Sequence, residues 1–168
     1  MKTNTILLLL TLFVLWSCNS NNSDSKSSEE IKSNLNMMLN DWHLAATNAN
    51  FDNYFNTMDS IAVFIGTDAS ENWTKKEFAT FSKPYFDRGK AWDFKTLERN
   101  IYLSENKNVA WFDELLNTWM GTCRGSGVLE KTNSKWKIKQ CWIVDFLIFT
   151  CSILKIYISN FINWKIWR

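Results

Sequence analysis

Residues 109–140 read VAWFDELLNTWMGTCRGSGVLEKTNSKWKIKQ. Three runs in this stretch, Val109 to Met120, Gly125 to Lys131 and Lys135 to Gln140, read as strands, and Gly121 and the cluster Thr132-Asn133-Ser134 mark the turns between them. The last run alternates, with Lys135, Lys137 and Lys139 expected outward and Trp136, Ile138 and Gln140 inward. Upstream, Trp92 to Leu103 has the same two-residue period and ends at Glu105-Asn106-Lys107-Asn108. Consecutive strands joined by short polar turns form an antiparallel meander.

Before the meander the period is helical. In Glu29 to Asn50, Ile31, Leu35, Met38, Leu39, Trp42, Ala45, Ala46 and Ala49 recur at three- and four-residue steps, behind Ser27 and Ser28 and with Glu29 and Glu30 in the first turn. Asp52 to Met58 reads as a short second helix. Lys75 to Phe86 reads as a third, in which Pro84 should distort or end the helix, and Gly89 follows as a stop. Between the second and third helices, Ser60 to Gly66 reads as a strand apolar on both faces, with Glu71 to Thr74 as its short return. Three helices ahead of a curved meander imply an α+β domain, because neither layer can bury its apolar side alone. The expected shape is a conical barrel of curved antiparallel sheet closed by the three helices around a hollow.

The N-terminus carries a different signal. Lys2 and the apolar run Ile6 to Leu15, broken by Thr11, have the layout of a signal peptide. The run is too short for a membrane-spanning helix. It ends in Leu15-Trp16-Ser17-Cys18, which resembles the lipobox of bacterial lipoproteins. That resemblance implies lipidation of Cys18, export from the cytoplasm and a lipid anchor in the cell envelope. Asn19 to Ser28 contains no apolar residue and reads as a tether, since it cannot offset its ordering entropy by burial. The domain expected is therefore 29–140.

Residues 141–168 are crowded with Ile, Phe, Lys, Asn and Trp, without Gly or Pro. Asp145 and Lys155 leave nine uncharged residues between them. A charge at mid-bilayer costs roughly 2.5–3.5 kcal/mol, which argues against a membrane helix there. The expectation is a frameshifted or misassigned end of the reading frame.

Charge and cysteines restrict the function. The chain has 19 Lys and Arg against 17 Asp and Glu, interspersed, so no basic stripe tracks phosphates and no nucleic-acid partner is expected. The cysteines are Cys18, Cys123, Cys141 and Cys151, and their spacing fits no metal site. A Cys123–Cys141 bridge is open if those strands pair.

Five segments in order carry a family resemblance: Trp42-His43; Phe64-Ile65-Gly66-Thr67-Asp68 followed by Glu71-Asn72-Trp73; Ala110-Trp111-Phe112-Asp113-Glu114; Arg124-Gly125-Ser126-Gly127-Val128-Leu129; and Trp136-Lys137-Ile138. Over about residues 35–140 the chain resembles SnoaL-like proteins of the nuclear-transport-factor-2-like superfamily. The resemblance implies the conical barrel. It implies function loosely, because the fold hosts isomerases, cyclases, dehydratases and non-catalytic binders.

The candidate chemistry is sparse. Asp113 and Glu114 are neighbours on one strand, so one should face the interior and the other solvent. A carboxylate among apolar walls could move a proton, but an ion pair with Arg99 across the turn at Asn106 competes with that role. His43, the one histidine, could serve as base or as a helix-edge hydrogen-bonding group. Trp42, Glu71, Trp73, Arg99, Arg124 and Trp136 are the expected ligand-contacting set. Within it Glu71 could instead bond Arg124, and Trp73 could wall the core. Gly125-x-Gly127 lacks the following helix of a phosphate loop and should permit sheet bending. No metal or cofactor is expected.

The leading expectation is a domain binding a small, mostly apolar molecule. One rival is a cofactor-free isomerase, cyclase or hydratase with Asp113 or Glu114 as base and His43 or Arg124 as its partner. The other is a non-catalytic homodimer formed through the outer sheet face.

Overall fold

A computed structural model describes residues 27–145. The leader, Cys18, most of the tether, Cys151 and the tail from residue 146 lie outside the described residues. Among those described, no helix is long and apolar enough to cross a membrane.

Helix α1 (Ser28–Thr47) begins where the Ser27 hydroxyl accepts the Glu30 N–H, and it buries Ile31, Leu35, Leu39, Trp42, His43, Ala45 and Ala46 along one face. Helix α2 (Phe51–Thr57) is capped by Asn50 and buries Tyr54 and Phe55. Strands β1 (Met58–Ile65) and β2 (Asn72–Thr74) form a hairpin. Helix α3 (Lys75–Asp87) starts in a reciprocal capping box between Thr74 and Glu77. Pro84 lies inside α3, exposed, three residues before the helix ends at Asp87, so it does not itself terminate the helix. The helix stops instead after Asp87, where Gly89 supplies a φ of 83°.

The meander is β3 (Lys95–Leu103), β4 (Val109–Thr118), β5 (Gly121–Thr132) and β6 (Lys135–Asp145). All consecutive pairs within it are antiparallel, and the six-stranded sheet has the order β2-β1-β6-β5-β4-β3. One pairing departs from the expected antiparallel sheet: β1 lies parallel to β6, reached through the whole of α3 and the meander. The sheet is curved and unclosed. Its bends coincide with register breaks at β1 between Met58 and Val63, at β3 between Thr96 and Glu98, and at β6 opposite Val128 and Leu129.

The break in β6 corrects the strict alternation expected there. Lys139 is the extra residue, since Leu129 pairs with Ile138 and Val128 with Gln140. Past it the faces exchange, so Gln140 is exposed and Cys141 is buried. The strand continues to Asp145, five residues beyond its expected end. The strand expected from Trp92 starts only at Lys95, and Trp92 to Phe94 are irregular. In β1 the expected two-sided burial fails at Ile61, which is 73% exposed where the strand bulges.

The concave face of the sheet carries Ala110, Phe112, Glu114 and Leu116 from β4, with Cys123, Leu129 and Ile138 from its neighbours. The rings of Trp42, Tyr54, Phe55, Phe78, Phe86 and Trp92 fill the space between it and the helices, with centroids mostly 5–6 Å apart. The hollow expected from the sequence is thus largely occupied by aromatic side chains, because the two short helices each contribute rings to it. Clefts among the described residues open at the two ends of the strands and between α2 and α3.

Two glycines on the concave face make this packing feasible. A Cβ on Gly125 would stand 3.1 Å from the Glu114 side chain. A Cβ on Gly127 would stand 2.6 Å from the Gln140 carbonyl oxygen and 2.7 Å from the Phe112 ring. Gly127→Ala is therefore expected to cost about 1–3 kcal/mol of stability, as overpacking does. Phe112→Leu should not rescue it, because the backbone of β6 remains in the way. Urea denaturation of the single and double variants checks both statements.

Candidate functional site

The residues named from the sequence do not gather at one site: Glu114, Arg99, His43 and Trp42 meet on the inner face of the sheet, Asp113 and Arg124 on the outer face, and Glu71, Trp73 and Trp136 lie elsewhere. Glu114 points inward and is 2% exposed. Its Oε1 accepts a hydrogen bond from His43 Nε2 at 2.9 Å. Its Oε2 accepts one from Arg99 Nε at 2.8 Å and forms an ion pair with Arg99 Nη2 at 2.7 Å. The register places Arg99 directly opposite Glu114. The remaining donors of Arg99 reach Asn36 Oδ1 at 2.8 Å, Asn40 Oδ1 at 2.7 Å and Thr96 Oγ1 at 2.9 Å. Asn36 and Asn40 stand one turn apart on α1, so this guanidinium ties the long helix to the sheet.

Burial by itself pushes the Glu114 carboxyl up. The hydrogen bond and charge of His43, with the charge and hydrogen bonds of Arg99, outweigh it and hold the group below its ordinary value of 4.5. An ionised carboxylate only accepts, so His43 carries its proton on Nε2. A depressed carboxyl contributes stability that is present above its unfolded value and lost as pH falls through the folded one. Melting temperature should therefore fall on acidification below about pH 4.5, and the acid limb should be shallower in Glu114→Gln. Thermal scans across that range read the difference directly.

Asp113 takes the other face, as the strand period requires. Its Oδ1 accepts from Arg124 Nη1 at 2.7 Å on the outer surface, and Asn100 lies beside it at 3.5 Å. Arg124 is thus a partner of Asp113 and not of Glu71. Glu71 is half-buried over Gly66 and accepts the Asp68 N–H at 3.3 Å, which closes the turn after β1. Trp73 lies against Phe64, Phe78 and Phe81 and covers the seam of β1 and α3. Trp42 is buried, stacked on Tyr54 at 4.9 Å and tilted against His43 at 5.2 Å, and its indole Nε1 has no hydrogen-bond partner among the described residues. Trp136 is half-buried and lines a separate cleft with Asn34, Met37, Met38 and Asp41 of α1.

Cys123 and Cys141 are both buried free thiols. Their strands do pair, but Cys123 stands opposite Asp145 and Cys141 opposite Gly127, four residues apart on β5, so the bridge left open by the sequence does not form. Burial, with the nearby Glu114 charge, pushes the Cys141 thiol up to about 12 and leaves it a core residue rather than a nucleophile.

Sequence reasoning missed the residues at the mouth of the cone. A cleft of about 430 Å³ opens there, lined by Trp92, Asp93 and Lys95 at the start of β3 and by Asn117, Thr118 and Trp119 at the end of β4. Trp119 sits in the β4–β5 turn and is 82% exposed. Trp92 is half-buried, edge-on to Tyr54 and Phe86, and Phe94 follows it, edge-on to His43 at 6.1 Å. Thr47 fastens this segment to α1 through the Trp92 carbonyl and Asp93. The usable signal was the pair of aromatics two apart after Gly89, which the strand reading absorbed.

A curved, unclosed sheet wrapped on three helices, with clefts at its rims, defines an α+β cone of the nuclear-transport-factor-2-like type. Within that class the chain belongs to the SnoaL-like domain family, whose model matches residues 35–143. Solved structures of similar fold include a nuclear-transport-factor-2-like protein of unknown function from Pseudomonas putida, with 8% identity, a TM-score of 0.60, and 71% of this chain and 89% of that one covered. Another is the association domain of the calcium/calmodulin-dependent protein kinase II of C. elegans, with 16% identity, a TM-score of 0.58, and coverage of 71% and 99%. A nuclear-transport-factor-2-like protein from Cytophaga hutchinsonii aligns at 13% identity and a TM-score of 0.56, with coverage of 72% and 100%. No protein of curated function matches the chain.

Proposed function

We propose that the chain is a membrane-anchored domain of the bacterial cell envelope that binds a small, mostly apolar molecule at the Trp92–Trp119 end of its cone. The observation that carries this reading is the exposed indole of Trp119 above a cleft walled by a second indole. A flat ligand against them would shield both from water, while Asn117 and the charged Lys90, Asp93 and Lys95 of the same lining offer the polar groups that orient it. The anchor rests on the Leu15-Trp16-Ser17-Cys18 motif. Labelling with radioactive palmitate should mark the wild type and not Cys18→Ser.

Native mass spectrometry and thermal shift against a library of flat apolar compounds test the binding. A compound present at 100 times its Kd should stabilise the fold by about 2.7 kcal/mol. Its affinity should fall in Trp119→Ala, whose fold should be intact because the side chain is exposed. A library without hits, or a hit indifferent to both Trp119→Ala and Trp92→Phe, would sink the reading.

The acid–base isomerase, cyclase or hydratase draws less support. Both oxygens of Glu114 are already engaged by Arg99 and His43, and Asp113 is engaged by Arg124 outside the cone, so neither carboxylate is poised over a vacant reaction space. The dimer has an observation in its favour. Tyr102 and Trp111 stack at 5.8 Å on the outer sheet face and are exposed, as is Trp142 on β6. Light scattering should then find a dimer that Trp111→Lys converts to monomer, and a monomeric wild type at all concentrations would count against it.

A further inference from the structure

We infer that the cleft at the opposite end of the cone is a carbohydrate subsite that takes a pyranose ring. This cleft, of about 590 Å³, lies between α1, α2 and the start of β6. The Trp92–Trp119 cleft sits where β4 ends and β3 begins. The two are therefore at opposite ends of the strands, and the inference stands independently of the function proposed above. Its volume falls in the range of about 300–1,000 Å³ that small-ligand sites occupy.

The lining combines two kinds of group. Trp136 and Met38 are half-buried and packed on the core, so they form a fixed apolar floor. Around it stand Asn34 and Asp41 from α1 and Asn53 and Asn56 from α2. None of these four side chains makes a hydrogen bond or ion pair with another described residue, although Lys137 holds the Asn56 carbonyl at the same wall. Three amides that both donate and accept, and a carboxylate that accepts, thus line one cleft with an indole and have no partner among the described residues.

A pyranose ring matches that set. One of its faces is a patch of C–H groups suited to an aromatic ring, and its perimeter is a ring of hydroxyls that each donate and accept. A wholly apolar ligand would desolvate the four polar groups without pairing them, at about 1–3 kcal/mol for each one fully buried. A dianionic phosphate would face Asp41, and a cationic amine would face Lys135 and Lys137. The hydroxyls of a saccharide meet neither penalty. Lys135 on the rim leaves two sources for the ring, a neutral hexose chain or a uronic-acid chain.

The test titrates the full chain with cellobiose, maltose, chitobiose and digalacturonate, read by tryptophan emission and saturation-transfer NMR. The expected result is saturable binding of at least one of them in the millimolar range, with transfer strongest at ring C–H protons. Asp41→Ala should weaken that binding about fivefold, one or two hydrogen bonds' worth. Its melting temperature should not move, since Asp41 is exposed. Trp136→Phe, which keeps an apolar ring on the core, should weaken it as well. Preference for digalacturonate would assign the uronic source, and preference for the others the neutral one. If none of the four sugars saturates, or if binding ignores both substitutions, the inference is overturned. Neither substituted residue touches the Trp119 cleft, so this failure and the failure of the proposed function are separately visible.

Discussion

Glu114→Ala is expected to lower the unfolding free energy by about 3–5 kcal/mol, the largest effect of any single polar substitution in the domain. The reason is what remains after the carboxylate goes. Arg99 keeps a positive charge with its side chain 2% exposed, and His43 keeps a buried N–H, both without their common acceptor. The hydrogen bonds to Asn36, Asn40 and Thr96 satisfy the other donors of Arg99 but supply no compensating charge. Domains of this size are stable by about 5–15 kcal/mol, so the variant should be marginal or unfolded at 37 °C. Removing the charges together should cost less: Arg99→Met with Glu114→Leu should be more stable than Glu114→Ala alone, because no unpaired ion is left. Guanidinium denaturation decides it. A loss near zero for Glu114→Ala would show that the trio is solvated and that α1 is held to the sheet by apolar packing alone.

Phe112→Ala should cost about 3–5 kcal/mol by a different route. The ring is 2% exposed and lies over Gly127, on the one strip of β5 that has no side chain to fill the gap. With glycine opposite, the site cannot collapse by a neighbour shifting inward, so the cavity term should be near its upper range. Phe112→Leu, which keeps most of the volume, should cost much less. Equal losses for the two would mean that the concave face tolerates a void, and would point to a looser interior than the ring contacts describe.

Element order and type are legible in the sequence, because they follow from local chemistry. The capping of α1 by Ser27, the turn at Thr132-Asn133-Ser134 and the meander periodicity each depend on residues close in the chain. The opposite orientations of Asp113 and Glu114 follow from the strand period alone. The sheet's curvature was less legible. An extra residue at Lys139 reverses the two faces of β6, and a period-two reading has no term for it until the partner strand is known. At Pro84 the helix continues for three more residues, held by the buried Phe78 and Phe86, so the last turn was decided by packing.

The site divides the same way. Residue types and spacing determined that one carboxylate of β4 would face the core and that Arg99 would stand across from it. Only the tertiary structure decided that His43 closes the trio, that Asn36 and Asn40 complete it, and that Trp92 and Trp119 line one cleft. Those residues are dozens of positions apart and share no local period. Their meeting depends on the crossing of α1 over the bent sheet, and that crossing is set by how buried side chains fill space.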